Sequence, residues 1–363
     1  MLNNTLEIIK KIESYGYETY IVGGFVRDYY LGKETFDIDI CTNAKTDELI
    51  NIFDNIKISN SYGSITLIEN NIRYEITTYR EEDDYDDHRR PNNIKYINNL
   101  LDDLKRRDFT INTLCLNSKG ELIDLLKAKD DLDKRIIKTV IEPNISFNKD
   151  VLRILRAVRF ATILDFKIDS EVKEAIKNNA HTLKELSYVR KKEELSKIFG
   201  SANVNYGLSL IKELELDKYL ELNNIDNLVV INNNIGIWAQ LDVADIYPFT
   251  KREKDLINNI KECLLSEYID KYLIYKKGID VINIVCDIKG IDKDQINNLY
   301  NNLPIKNRND IKINVSNISK IFNKEPNDWI NKLYEIIEIE IINGNIFNEE
   351  TEIINYIKNN NII

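Results

Sequence analysis

The stretch Tyr20-Ile-Val-Gly-Gly-Phe-Val-Arg-Asp28, followed by Phe36-Asp37-Ile38-Asp39, decides the reading of this chain. An apolar strand over Thr19–Val22 runs into Gly23-Gly24. A short helix then carries Arg27 and Asp28, and a second strand over Phe36–Cys41 presents Asp37 and Asp39. Residues two apart on a strand share a face. Both carboxylates are therefore expected to aim at one spot beside the glycine turn, with Phe36, Ile38 and Ile40 on the other side. Two aligned carboxylates suit a hard divalent cation such as Mg²⁺. A glycine turn entering a helix N-terminus, with an arginine nearby, suits a polyphosphate. Together they predict a metal-dependent nucleotidyl transfer site; the alternative is a strand end whose two acids face solvent.

The chain has 363 residues, enough for two or more domains with substantial cores. With 43% hydrophobic and 30% charged residues, its composition is that of a folded protein and not a disordered one. No apolar run approaches bilayer length, and Met1-Leu2-Asn3-Asn4 lacks the basic start and apolar stretch of a secretory signal. Cys41, Cys115, Cys263 and Cys286 are scattered without paired spacing. They read as reduced thiols of a cytoplasmic protein and argue against a zinc site. The net charge of -10 argues against nucleic-acid binding through overall charge, so such a substrate needs local basic surface. His88 and His181 are the only histidines, which excludes a histidine-rich metal phosphohydrolase module.

An amphipathic helix is expected over residues 5–15. From Tyr17 to Asp124, strand-like runs (Thr19–Val22, Phe36–Cys41, Ser64–Ile68, Ile72–Thr78, Ile94–Ile97, Leu114–Leu116, Leu122–Asp124) mix with helical segments. The acidic stretch Glu81–Asp87, continuing into His88-Arg89-Arg90-Pro91, reads as an exposed loop. After Asp130 the strand signals fade and helical patterns take over, among them Asp150–Leu164, Ser170–Asn178, Tyr188–Ile198 and Asn205–Leu214. The fold class is α+β: a head with a small mixed β-sheet, followed by an all-helical remainder.

Glu75, in Tyr-Glu-Ile-Thr-Thr-Tyr-Arg, lies on the next strand pattern and is placed to complete the acid set; alone it reads equally as an ordinary strand acid. Two Mg²⁺ ions roughly 4 Å apart can activate an attacking hydroxyl and neutralise a leaving oxygen. That suits attack of a 3′-hydroxyl on an α-phosphate, where catalysis is positioning and charge stabilisation and needs no covalent nucleophile. A second cluster is Arg106-Arg107-Asp108-Phe109-Thr110-Ile111-Asn112, where a carboxylate can accept from a ribose hydroxyl and an arginine can grip phosphate. By itself it reads better as a capped helix start with solvated arginines. The third runs from Asp150 to Phe160. Asp150 and Arg153, three apart, are expected on one helix face, where a carboxylate and a guanidinium match the amino donor and ring acceptor of cytosine and adenine. Uracil and guanine would leave a partner unpaired. The alternative is an intrahelical salt bridge, with Arg156 and Arg159 serving phosphates or acids elsewhere.

These clusters, in this order and at these separations, resemble the class II tRNA nucleotidyltransferases, the superfamily of bacterial CCA-adding enzymes and poly(A) polymerases. The likeness covers about residues 15–200, with a fainter match near Pro304–Asn348 similar to the family's tail. It implies a catalytic head over 1–140, a helical neck with the base-reading helix over 141–200, a body over 201–300 and a tRNA-binding tail over 301–363. It further implies that Asp37 and Asp39 bind the catalytic metals, with Glu75 as third carboxylate and Mg²⁺ as cofactor. Gly24 and Arg27 are expected on the triphosphate, and Arg107 and Asp108 on the nucleotide's phosphate and sugar. Asp150 and Arg153 correspond to the base-reading pair, and Arg156 and Arg159 to further nucleotide contacts. The implied partners are ATP, CTP and the acceptor arm of tRNA, and the implied reaction is template-independent CCA addition with release of pyrophosphate. Lys149 stands where the family usually has an acid. The segment Tyr79–Ile97 matches the loop that members need for the terminal A, which disfavours a CC-only enzyme. A-only addition and poly(A) synthesis share these motifs and stay open. Two rivals are a catalytically silent RNA-binding scaffold and a nucleotidyltransferase of small molecules or proteins.

Overall fold

Leu2–Ser14 (α1) is helical because Thr5, Ile8, Ile9 and Ile12 recur at helical spacing and bury one stripe. The structure is a computed structural model that describes residues 2–54, 56–58, 63–86, 90–360 and 362. It separates into two compact units that meet in sequence at Asn223 and Asn224.

After α1 come β1 (Thr19–Val22), α2 (Gly24–Tyr30), β2 (Ile38–Thr42), α3 (Thr46–Ile52), β3 (Ile56–Ile58), β4 (Ser64–Glu69) and β5 (Ile72–Thr78). Then follow β6 (Arg80–Asp86), β7 (Arg90–Tyr96), α4 (Leu100–Lys105), β8 (Cys115–Leu116) and β9 (Leu122–Ile123). Seven of these strands form one mixed sheet in the order β3-β4-β5-β2-β1-β8-β9. β2 runs antiparallel to β1, with Asp39 opposite Val22, and parallel to β5, with Asp39 beside Glu75.

Strand alternation sorts the sheet into two faces. Ile21, Ile38, Ile40, Tyr74 and Ile76 are buried on one. On the other, Val22, Cys41 and Cys115 pack with Tyr79, Leu100 and Leu104, so α4 is seated on the face that also carries Asp39 and Glu75.

Two expectations need correction here. β2 starts at Ile38, so Asp37 precedes the strand, and Phe36 is 71% exposed instead of joining the apolar face. Residues 33–37 have no regular structure, and alternation stops applying where the ladder stops. The acidic Glu81–Asp86 stretch is strand β6, paired antiparallel with β7 in a separate two-stranded sheet. Pro91 is tolerated in β7 because a two-stranded sheet consists of edges only. Asp87, His88 and Arg89 lie outside the described residues.

The remainder of the first unit is helical: α5 (Ala128–Lys134), α6 (Pro143–Lys149), α7 (Leu152–Leu164), α8 (Ser170–Asn179), α9 (Tyr188–Phe199), α10 (Val204–Glu213) and α11 (Asp217–Leu220). Two short strands, Ile136–Ile137 (β10) and Lys167–Ile168 (β11), pair in parallel within it. Two-residue strands leave no alternation to detect in the sequence. The second unit contains α12 (Asn234–Gln240), α13 (Lys251–Leu265), α14 (Lys271–Lys277), α15 (Ile279–Lys289), α16 (Lys293–Asn301), α17 (Val315–Phe322), α18 (Asp328–Asn343) and α19 (Glu350–Asn359). Its core includes Trp238, tilted against Tyr247 and edge-on to Phe249, and Ile257, Ile260, Ile282 and Val285.

Candidate active site

Gly23 ends β1 with φ 79° and ψ −141°, a conformation open to glycine and costly for other residues. A Cβ there would lie 3.0 Å from Asp39 Oδ2 and 3.7 Å from Arg107 Nη1. The turn thus lets a carboxylate and a guanidinium close in on bare backbone. Burial pushes the Asp39 carboxyl up to about 6 against the pull of Arg107, and the neighbouring Glu75 and Asp37 carboxylates push it further up. Asp37, Asp39, Glu75 and Arg107 therefore share one electrostatic neighbourhood beside the glycine turn.

Among the described residues, no group of three His, Cys, Asp or Glu side chains is already drawn together around a metal position. Mg²⁺ takes one or two carboxylates, several waters and substrate phosphates instead of an all-protein cage. Hard oxygen donors whose mutual repulsion falls on Asp39, on a surface open at Asp37, fit such an ion: its charge would relieve that repulsion.

Arg107 and Arg106 leave the end of α4 and converge on Asp103, which is fully buried. Asp103 accepts from Arg106 Nε at 2.8 Å, Arg107 Nη2 at 3.3 Å and the Arg80 backbone N–H at 3.2 Å. Burial would weaken the charge on Arg107, but Asp103 foremost holds its pKa above the ordinary value. The Nε of Arg107 is buried with no hydrogen-bond partner. An orphaned guanidinium donor next to Asp39 is suited to an anion.

A second chain of contacts links α2 to α7. Arg27 forks onto Asp28 through Nε at 2.8 Å and Nη2 at 2.9 Å, while Nη1 donates to Asn112 Oδ1 at 2.8 Å. Asn112 Nδ2 donates to Asp108 Oδ1 at 3.0 Å, and Arg156 Nε donates to Asp108 Oδ2 at 2.7 Å. Burial would raise the Asp108 carboxyl, yet Arg156, the Asn112 amide and Arg153 hold it well below the usual carboxylate range. Gly24 sits at the start of α2, where a Cβ would meet only Arg27 Nη2 at 3.6 Å.

The Asp150/Arg153 pair differs from expectation. Asp150 is not in the helix: it caps α6 in an extended conformation, and α7 begins at Leu152. Its carboxylate accepts from the Leu152 N–H at 3.0 Å and lies 3.4 Å from Arg190 Nη2. Arg153 is buried, donating to Ser146 Oγ at 2.8 Å and to the Arg106 carbonyl at 2.6 Å. No intrahelical salt bridge joins them, because the chain turns between the two residues. Arg159 faces Glu194, with Nη1 donating to Oε1 at 3.5 Å and Nε 3.1 Å from Oε2 without hydrogen-bond alignment. Burial and the neighbouring Arg156 pull the Arg159 guanidinium down to about 10, so it stays charged at neutral pH.

Sequence reasoning missed Asp103, Glu194 and Arg190. Asp103 had a local signal, lying three and four positions before Arg106 and Arg107 on a helix. Glu194 and Arg190 had none, being 35 and 40 positions from their partners.

Known proteins resemble this chain over nearly its whole length. The CCA-adding enzyme of Ligilactobacillus salivarius is 34% identical over 380 residues, spanning 95% of this chain and 93% of that protein. The chain belongs to the CCA-adding enzyme family. The CCA-adding enzyme of a Geobacillus species is 31% identical over 391 residues, covering 99% and 97% of the two chains. Three family profiles match in order: a poly(A) polymerase head domain over 19–138, a probable RNA and SrmB-binding site of polymerase A over 165–225, and a putative tRNA nucleotidyltransferase domain 2 over 247–357. The solved Bacillus stearothermophilus CCA-adding enzyme in complex with CTP superposes with a TM-score of 0.88 at 26% identity, over 98% of this chain and 96% of that one. The Thermotoga maritima CCA-adding enzyme complexed with tRNA shares the fold, with a TM-score of 0.68 at 22% identity over 99% and 95% of the chains. The α+β head followed by helices is thus the fold of CCA-adding enzymes. Among the described residues, no helix is long and apolar enough to cross a membrane.

Proposed function

We propose that this enzyme adds C and A nucleotides to the 3′ end of tRNA from CTP and ATP, without a template and with release of pyrophosphate. The observation that carries the proposal is the register of β2 against β5: Asp39 lies beside Glu75, next to the Gly23 turn and Arg107. In this reading Asp37 and Asp39 hold Mg²⁺, with Glu75 as third carboxylate. The bound cation supplies charge neutralisation at the phosphoryl oxygens and lowers the pKa of the attacking hydroxyl.

The protein's own groups do the rest. Gly24 and Arg27 receive the triphosphate, Arg27 exchanging part of its Asp28 fork for phosphate oxygens. Arg107 turns its orphaned Nε to phosphate, and Asp108, kept anionic by Arg156, accepts from a sugar hydroxyl. Asp150 accepts from the exocyclic amino group of C or A. Arg153, with donors left after Ser146 and the Arg106 carbonyl, addresses the neighbouring ring acceptor. Arg156 and Arg159 complete the nucleotide pocket. The chain divides functionally into head (1–140), neck (141–200), body (201–300) and tail (301–363), the helical parts carrying the acceptor arm of tRNA in the cytoplasm.

The test is incorporation of labelled CTP and ATP into tRNA lacking its 3′ CCA, separately and together. The proposal expects two C additions with CTP alone and one further A when ATP is present. Labelling by ATP only, on tRNA already ending in CC, would reduce the activity to A addition. Runs of A on generic RNA would make it a poly(A) polymerase, and turnover without RNA would point to a small-molecule or protein acceptor.

A further inference from the structure

Three guanidiniums from two parts of the first unit surround a single ring. Arg27 of α2 lies 5.1 Å from the centroid of Phe160, Arg156 lies 5.2 Å from it, and Arg159 lies 4.3 Å from it. Phe160 itself is on α7 and only 8% exposed. Its ring is braced edge-on by Phe109, with centroids 5.7 Å apart and planes at 80°.

Three like charges crowded around one point repel. Each is paired with an acid of its own: Asp28 for Arg27, Asp108 for Arg156 and Glu194 for Arg159. Those acids neutralise the cations, and Asn112 with Asp108 ties Arg27 to Arg156 by hydrogen bonds, but the Phe160 ring is a contact that all three guanidiniums share. The shared contact is the electron-rich face of the Phe160 ring, buried where cation–π attraction is at its strongest. An aliphatic side chain of similar volume would fill the space and supply none of that attraction.

We propose that Phe160 is a positioning residue for the incoming nucleotide: its ring sets the guanidiniums of Arg27, Arg156 and Arg159 relative to one another, so that the triphosphate end and the base end of the site are presented as one surface. This rests on the nucleotide-contact roles given above for those arginines. Phe160 touches no reacting atom in this account. It acts through the three cations, and its removal weakens nucleotide capture more than the chemical step.

The decisive experiment replaces Phe160 in the full-length enzyme with 4-fluoro-, 3,5-difluoro- and 3,4,5-trifluorophenylalanine. Shape is nearly kept while each fluorine withdraws charge from the ring. KM for CTP and for ATP is expected to climb with fluorine number, reaching about tenfold for the trifluoro ring, with kcat within about twofold. Phe160→Leu should raise both KM values at least tenfold, and Phe160→Tyr should stay within threefold of the parent. A flat fluorine series overturns the proposal, as does Phe160→Tyr behaving like Phe160→Leu. If Phe160→Leu does not fold, the fluorine series still decides. Arg156→Met separates the two layers of argument. If it raises KM while the fluorine series is flat, the positioning role alone fails; if it leaves KM unchanged, the nucleotide-contact reading of Arg156 fails first.

Discussion

Gly23→Ala and Gly24→Ala, adjacent and chemically identical changes, are expected to have opposite consequences. At Gly23 the backbone has φ 79° and ψ −141°, a region that costs a non-glycine residue about 1–3 kcal/mol. The new methyl would also stand 3.0 Å from Asp39 Oδ2, tighter than ordinary contact, so the carboxylate must give way by a few tenths of an ångström. At Gly24 the backbone is helical and the methyl meets only Arg27 Nη2 at 3.6 Å, an ordinary contact. Gly23→Ala should therefore lower the unfolding free energy of the first unit by about 1–3 kcal/mol. Because small displacements of catalytic groups cost up to about 100-fold, kcat for nucleotide incorporation should fall roughly 10- to 100-fold. Gly24→Ala should leave stability unchanged or raise it by up to about 1 kcal/mol, the helix-propensity difference. Urea unfolding should be followed by far-UV circular dichroism, because both tryptophans, Trp238 and Trp329, lie in the other unit. Equal stability of the two variants, or full kcat in Gly23→Ala, would refute the close approach of Asp39 to the turn.

Other expectations follow from the same contacts. The Asp108 carboxyl titrates below its unfolded value of about 3.9. Its stabilising contribution is therefore complete above that pH and is lost as pH falls towards the folded value. Asp108→Asn should flatten the acid limb of thermal stability below about pH 4, and an acid limb identical to the parent's would count against the Arg156 pairing. Glu75→Gln should weaken Mg²⁺ use about 10- to 100-fold, seen as a shifted Mg²⁺ dependence of incorporation; an unshifted curve removes Glu75 from the acid set. Arg153→Ala should blur discrimination of C and A over U and G more than it weakens tRNA binding, and unchanged discrimination in competition assays would end its base-reading role.

Much of the head was legible because it depends on local rules. β1 and β5 have the bounds read from the sequence, and Asp39 falls beside Glu75, which the strand pattern had left only within reach. What was illegible depended on pairing across the fold. β6 is a run of acids with no apolar alternation, and only its ladder with β7 makes it a strand. The helical pattern read over Asp150–Leu164 hides the extended conformation at Asp150, which moves the carboxylate off the helix and towards Arg190. Arg27 could be placed on its helix from sequence, but not its bond to Asn112, 85 positions away. The site was recognisable from its residue types; its internal wiring was not.

The acids on β2 make or break this account, and pyrophosphate release tests them most directly. With tRNA lacking its 3′ end, CTP, ATP and Mg²⁺, the parent enzyme should release one pyrophosphate for each nucleotide added. Asp39→Ala should release none while tRNA affinity stays within about threefold, since the carboxylate acts on charge and not on RNA docking. Undiminished pyrophosphate release by Asp39→Ala would contradict the central claim, and silence from both proteins with intact tRNA binding would make the chain a scaffold.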